Sequence, residues 1–107
     1  MSKSLFQAMS SKRIAALASR ATCRVIYAGP GMHLVAAQAI AMVAEQHPTV
    51  SVTVSLDVND KTLRMGYGDI EAVKRLKSAG IKPTQSAGFR AGVLIVDDRG
   101  WVFTPPA

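Results

Sequence analysis

The chain has little cysteine and no long apolar run. Cys23 is the single cysteine among 107 residues, so no internal disulfide can form, and this usage is typical of a reducing compartment. The most apolar stretch, from 34 to 44, is short and interrupted by Gln38, which excludes a membrane span there. The first 20 residues are polar and basic and lack the apolar centre of a secretory signal. We therefore predict a cytoplasmic protein without a membrane partner.

Acidic residues are also scarce. Seven Asp and Glu stand against 13 Lys and Arg, which gives a net charge of +6. Such a charge favours encounter with nucleic acid or another phosphate-bearing anion, but it does not specify the partner. A candidate contact surface consists of basic residues in a predicted loop and helix, with one tyrosine that could stack on a base: Lys61, Arg64, Tyr67, Lys74, Arg75 and Lys77. The alternative is an ordinary solvated helix face.

Metal and cofactor patterns are missing. His33 and His47 fall at opposite ends of one predicted helix and have no closely spaced ligand, so we predict no metal site. Gly29-Pro30-Gly31 is followed by no Walker lysine and lacks the dinucleotide-binding glycine spacing. We predict no cofactor and interpret this segment as a tight turn or an anion cradle.

The order of patterns predicts a mixed α/β fold. Ser10 and Ser11 precede a helical stretch at 12–18, which residues 2–9 extend or leave frayed, and a strand follows at 24–28. A helix at about 32–46, a strand at 50–57, a loop at 58–68, a helix ending at Gly80 and a short edge strand at 81–85 come next. We predict one domain over 1–107, with 1–20 as an N-terminal helical extension.

The strand at 50–57 alternates valine or leucine with Ser51, Thr53, Ser55 and Asp57. Its polar face lies open to water, or it lines a groove or a subunit interface that tolerates hydroxyls. Ligands of α/β folds gather at the carboxyl ends of parallel strands, so Gly29, Gly31 and Asp57 form a possible ligand cleft.

The most informative segment is Phe-Arg-Ala-Gly-Val-Leu-Ile-Val-Asp-Asp at 89–98, followed by Arg99-Gly100 and Trp101-Val102-Phe103. The aliphatic run from Val93 to Val96 predicts a strand covered on both faces, and Asp-Arg-Gly at 98–100 predicts a turn into a second strand. The fold class is therefore α/β, with a mixed, mostly parallel sheet flanked by helices and a C-terminal β-hairpin.

In position this hairpin resembles that of the phospholipase D superfamily, whose His-x-Lys-x4-Asp motif supplies a nucleophile, a phosphate-binding lysine and an orienting aspartate. At the three corresponding positions this chain has Arg90, Gly92 and Asp97. Arginine stays protonated and cannot attack phosphorus, and glycine brings no charge to a phosphate. We expect Arg90 either to pair with Asp97 or Asp98 or to bind a phosphate or carboxylate.

The resemblance extends over about 24–103 and implies one degenerate half of a phospholipase D-like protein, with no catalytic residue. Because two such halves pack across one site in the family, a lone half implies a homodimer or association with another chain segment. The Pro105-Pro106-Ala107 end suggests that the chain is part of something longer. The alternative is a nucleic-acid-binding protein that uses the basic loop and helix. A phosphodiesterase or nuclease would require a nucleophile that the motif lacks.

Overall fold

The computed structural model describes residues 6–57, 70–85 and 91–104. The elements in chain order are β1 (Phe6–Ala8), α1 (Ser11–Ala18), β2 (Arg24–Gly29), α2 (Leu34–Gln46), β3 (Ser51–Leu56), α3 (Ile70–Ser78), β4 (Thr84–Gln85), β5 (Gly92–Val96) and β6 (Arg99–Thr104).

The described strands form one sheet in the order β1-β6-β5-β2-β3-β4. Strand β1 is parallel to β6, and β2, β3 and β4 are parallel to one another. Strand β5 is antiparallel to both of its neighbours, β2 and β6. The predicted mixed, mostly parallel sheet with a C-terminal hairpin is confirmed.

The amino end differs from the sequence prediction. Residues 6–8 form β1, which pairs with Val102–Thr104, so the prediction of helix or frayed chain there is wrong. Helix α1 begins only at Ser11, because the Ser10 side chain accepts a hydrogen bond from the Arg13 N–H at 3.1 Å. Ile14 and Ala18 of α1 are buried in the common core, so this helix contributes to it.

The three helices within the described ranges form one layer. Each joins two parallel strands that progress in the same direction across the sheet, and right-handed crossovers then place all three on the same face. Accordingly, α1 packs beside α2, and α2 packs beside α3. Their buried side chains share one apolar cluster with those of the sheet, including Ile14, Ile40 and Leu76 from the helices and Val25, Tyr27, Val54, Leu56, Leu94, Val96 and Phe103 from the strands.

Helix α3 ends as the sequence predicts. Gly80 has a φ of 83°, a conformation that side chains with a Cβ rarely adopt. The Gly80 N–H donates to the Lys77 carbonyl and the Ile81 N–H to the Leu76 carbonyl, which is the hydrogen-bond pattern of a Schellman motif. Ile81 is buried, so the same turn directs the chain back toward the sheet and into β4.

The hairpin turn lies one residue earlier than predicted. Val96 pairs with Arg99, so Asp97 and Asp98 form the turn, whereas Arg99 and Gly100 already belong to β6. Asp97 takes a φ of 56°, which aspartate tolerates better than most residues. The prediction that the Val93–Val96 run is covered on both faces is also wrong within the described chain, because only Leu94 and Val96 are buried.

Candidate functional site

The predicted ligand cleft lies at the carboxyl edge of the central strands. Gly29 ends β2 beside Leu56 of β3, and the Asp57 N–H donates to the Gly29 carbonyl at 3.1 Å. Asp57 is only 8% exposed, and Gln85 Nε2 donates to its Oδ1 at 3.4 Å. Gln85 was not among the residues predicted for this cleft. Its position at the end of the predicted edge strand is the signal that could have indicated it.

Gly31 belongs to the same edge. The Tyr27 hydroxyl, which is buried, donates a hydrogen bond to the Gly31 carbonyl at 2.8 Å. Burial raises the pKa of Tyr27 above its ordinary value, so this hydroxyl remains a donor at neutral pH. The bond holds the turn between β2 and α2 against the core. The three predicted cleft residues, Gly29, Gly31 and Asp57, are therefore brought to one edge.

Gly92, at the lysine place of the motif, reaches this edge as well. It begins β5, and a Cβ on the neighbouring Gly29 would lie 3.5 Å from the Gly92 Cα. A Cβ on Gly92, in contrast, would lie 2.4 Å from both Cε2 and Cζ of Phe103. Phe103 is fully buried and packs against Tyr27, with ring centroids 6.0 Å apart. The Phe103 ring thus occupies the space that any side chain at residue 92 would need.

Asp97 lies at the other end of β5, about 16 Å along the strand from Gly92. Its carboxylate accepts hydrogen bonds from the N–H groups of Thr22, Cys23 and Arg24, the shortest being 2.7 Å from Cys23. The Thr22 hydroxyl also donates to it at 3.1 Å. The bond from Cys23, followed by that from Arg24, lowers the pKa of Asp97. We call this set the Asp97 lock, since it fastens the hairpin turn to the start of β2.

Only part of the predicted basic surface lies within the described residues. Lys61, Arg64 and Tyr67 lie outside the described residues, as does Arg90. On α3, Arg75 Nη2 lies 2.8 Å from Glu45 Oε1 and its Nη1 lies 3.1 Å from Oε2. This bidentate ion pair lowers the pKa of Glu45.

The two remaining cations of α3 are more exposed. Lys74 Nζ lies 3.4 Å from Glu71 on the same helix, a weak surface pair. Lys77 borders a small cavity of about 130 Å³ with Leu56 and Gln85. Because α3 pairs two of its three predicted cations with carboxylates, it presents less free positive charge than its sequence suggests. Its contact with nucleic acid stays a prediction.

The sheet has a second face that bears no described helix. Its side chains alternate with those that point into the helix-side core, and none of them belongs to the apolar cluster. We define the open face as the described positions of β2, β3, β5 and β6 that the register places on this side: Arg24, Ile26, Ala28, Ser51, Thr53, Ser55, Val93, Ile95, Gly100, Val102 and Thr104. All are half-buried or exposed, with Val102 at 40%.

Two negative findings apply to the described part of the chain. Within residues 6–57, 70–85 and 91–104, no three His, Cys, Asp or Glu side chains are grouped closely enough to hold a metal ion. None of the helices described there has the length and apolar character needed to cross a membrane.

Comparison with known proteins does not assign the chain to a family. No family model, no curated protein and no solved structure matches this chain. Inferences about its function therefore depend on its own residues.

Proposed function

We propose that this chain is a non-catalytic, phospholipase D-like half that acts in the cytoplasm by associating with a second copy or with another chain. The packing of Phe103 over Gly92 carries this proposal. A lysine at residue 92 would have to displace a fully buried aromatic ring, so the space for the motif's phosphate-binding side chain is closed.

The role of Asp97 supports the same interpretation. In the motif, aspartate orients the reacting groups. Here its carboxylate is taken up by Thr22, Cys23 and Arg24 at the opposite end of β5. That arrangement gives the aspartate at residue 97 a structural role, since its hydrogen bonds stabilise the turn and the neighbouring strand end, and no catalytic role is needed to explain it.

The proposal is tested by phosphodiester turnover. Purified protein incubated with bis(p-nitrophenyl) phosphate should release no more nitrophenolate than the buffer does. The control is Asp98→Ala at the neighbouring residue of the same turn, which should also remain inactive. Turnover that disappears in Asp97→Ala, with the circular dichroism spectrum retained, would overturn the proposal.

A further inference from the structure

A cavity of about 180 Å³ lies beside the hairpin turn, on the helix side of the sheet. It is lined by Leu17 of α1, by Arg20 just after that helix, by residues 96–99 of the hairpin and by Trp101. Pockets for drug-sized ligands have volumes of about 300–1,000 Å³. This cavity therefore has room for one ring system, and groups attached to that ring would lie along its rim.

The inner part of the cavity is apolar and aromatic. Val96 is buried in the core, and Leu17 and the half-buried Trp101 pack against that core. The Arg99 guanidinium lies 5.5 Å from the centre of the Trp101 ring, a cation–π distance. Proteins that bind unpaired bases stack them on aromatic rings and on arginine planes. The cavity thus offers a flat heterocyclic ring a surface of suitable chemistry.

Two guanidinium groups border the same cavity. Arg20 and Arg99 are both exposed, and within the described ranges neither side chain forms a salt bridge. Arginine stays charged and can bind a phosphate through two parallel N–H bonds. Both cations are therefore available to a phosphate at the rim of the cavity.

The two carboxylates of the turn oppose an anion only in part. That of Asp97 is bound by the Asp97 lock, and Arg24 Nε donates to the carbonyl of the same residue at 2.7 Å. Asp98 is exposed, so water and salt screen its charge. Asp97 is thus compensated at short range, and two arginines face one screened carboxylate, a balance that favours an anion.

We propose that this cavity binds a nucleotide unit, with its base against Trp101 and Leu17 and its phosphate on Arg20 and Arg99. A base alone or a phosphate alone would match only half of the lining. The unit is a free mononucleotide or one residue of a single strand, since both present the same ring and phosphate. This inference goes beyond the proposed function, and its site is separate from the cations of α3.

The test uses the fluorescence of Trp101, which is the only tryptophan of the chain and reports on the cavity directly. AMP, titrated at low salt to about 10 mM so that a millimolar dissociation constant is covered, should quench the emission to saturation. N-acetyltryptophanamide titrated in parallel corrects for light absorbed by the nucleotide. Adenosine lacks the phosphate and should bind at least about fivefold more weakly than AMP. Inorganic phosphate lacks the ring and should displace AMP with an affinity at least about fivefold lower.

Substitutions test the charges that line the cavity. Arg20→Ala and Arg99→Ala should each raise the dissociation constant of AMP at least about fivefold. Asp98→Asn removes the opposing charge and should lower that constant. The matched control is Lys12→Ala, which removes one cation from α1 outside the cavity and should leave the constant unchanged. Thermal melts confirm that each variant folds.

An oligoadenylate of about six residues identifies the source of the nucleotide. Binding that is tighter than that of AMP and weakens as salt rises assigns the site to a single strand, whereas equal or weaker binding assigns it to a free mononucleotide. Absence of quenching by both ligands would overturn the inference. Quenching that Arg20→Ala and Arg99→Ala leave unchanged would overturn it as well. Neither result bears on the proposed function, which fails on phosphodiester turnover.

Discussion

The contact between Gly92 and Phe103 predicts the effect of adding a single methyl group. In Gly92→Ala the new Cβ would lie 2.4 Å from two ring atoms of Phe103, so the ring or the strand has to shift. The ring has little room, because it is fully buried and backed by Tyr27. Overpacking of this kind costs about 1–3 kcal/mol. The lower entropy of an unfolded chain with alanine offsets only about 0.4–1 kcal/mol of it.

The expected result is a lower free energy of unfolding in a protein that still folds, since a domain of this size has about 5–15 kcal/mol in total. Urea denaturation followed by circular dichroism measures it, with an unchanged slope showing that the surface exposed on unfolding is the same. Gly100→Ala is the matched control. Its Cβ would meet nothing closer than Ile95 at 3.7 Å, so the clash penalty should be missing there.

A double-mutant cycle tests the cause. Leucine at residue 103 lacks the Cε2 and Cζ atoms that meet the new methyl group, and Phe103→Leu alone should cost about 1–2 kcal/mol. If the clash is real, the double variant loses less stability than the two single variants together, by at least about 1 kcal/mol. Additive losses would refute the argument that the Phe103 ring occupies the space that a side chain at residue 92 would need.

Three further predictions concern the Asp97 lock, the end of α3 and its ion pair. Asp97→Asn keeps a residue that tolerates positive φ but removes the negative charge that accepts hydrogen bonds from the N–H groups of residues 22–24. The urea midpoint should therefore fall at pH 7. The control Asp98→Asn should change the midpoint little. Folding lowers the pKa of Asp97, so the stability that its carboxylate contributes is present above the unfolded pKa of about 3.9 and is lost as pH falls through the folded pKa. The difference in stability between the wild type and Asp97→Asn should therefore shrink at pH 3. A difference that does not depend on pH would contradict this. Gly80→Ala should cost about 1–2 kcal/mol in thermal unfolding, because alanine is strained at a φ of 83°; no loss would show that the turn relaxes. Glu45→Gln should strengthen any binding of a labelled single strand at low salt by freeing Arg75, and unchanged binding would remove α3 from the nucleic-acid hypothesis.

The sequence predicted the elements whose signals are local. Glycine at residue 80 indicated the end of α3, and alternation in residues 50–57 predicted the half-buried strand β3. Strand β1 was not predicted because three residues are too few to show an alternating apolar and polar pattern. They form a strand only through their pairing with β6. The turn at Asp97 was placed one residue late because Asp-Arg-Gly has stronger turn preferences than Asp-Asp taken alone.

The candidate site was predictable only in part. Strand ends and glycines indicated Gly29, Gly31 and Asp57, since the carboxyl ends of parallel strands share one edge. The partners of Asp97 were not predictable, because Thr22 is 75 residues away and most of the bonds come from backbone N–H groups, which carry no sequence signal. The filling of the space above Gly92 depends on the register between β5 and β6, where Gly92 faces Phe103, and a shift of one residue would remove it.

Strand β5 departs from the usual pattern of a strand that is buried on one face. A strand covered on one face usually alternates apolar with polar residues, as β3 does with its valines and hydroxyls. Strand β5 does not alternate: Leu94 and Val96 enter the core, while Val93 and Ile95 are equally aliphatic on the open face. Water alone gives no reason for isoleucine at that place, since serine or threonine would serve as they do in β3. The sequence of β5 is suited to two covered faces, and the described chain covers one. Strand β5 lies beside β2 near the middle of the sheet, so the aliphatic pair Ile26 and Ile95 stands at the centre of the open face.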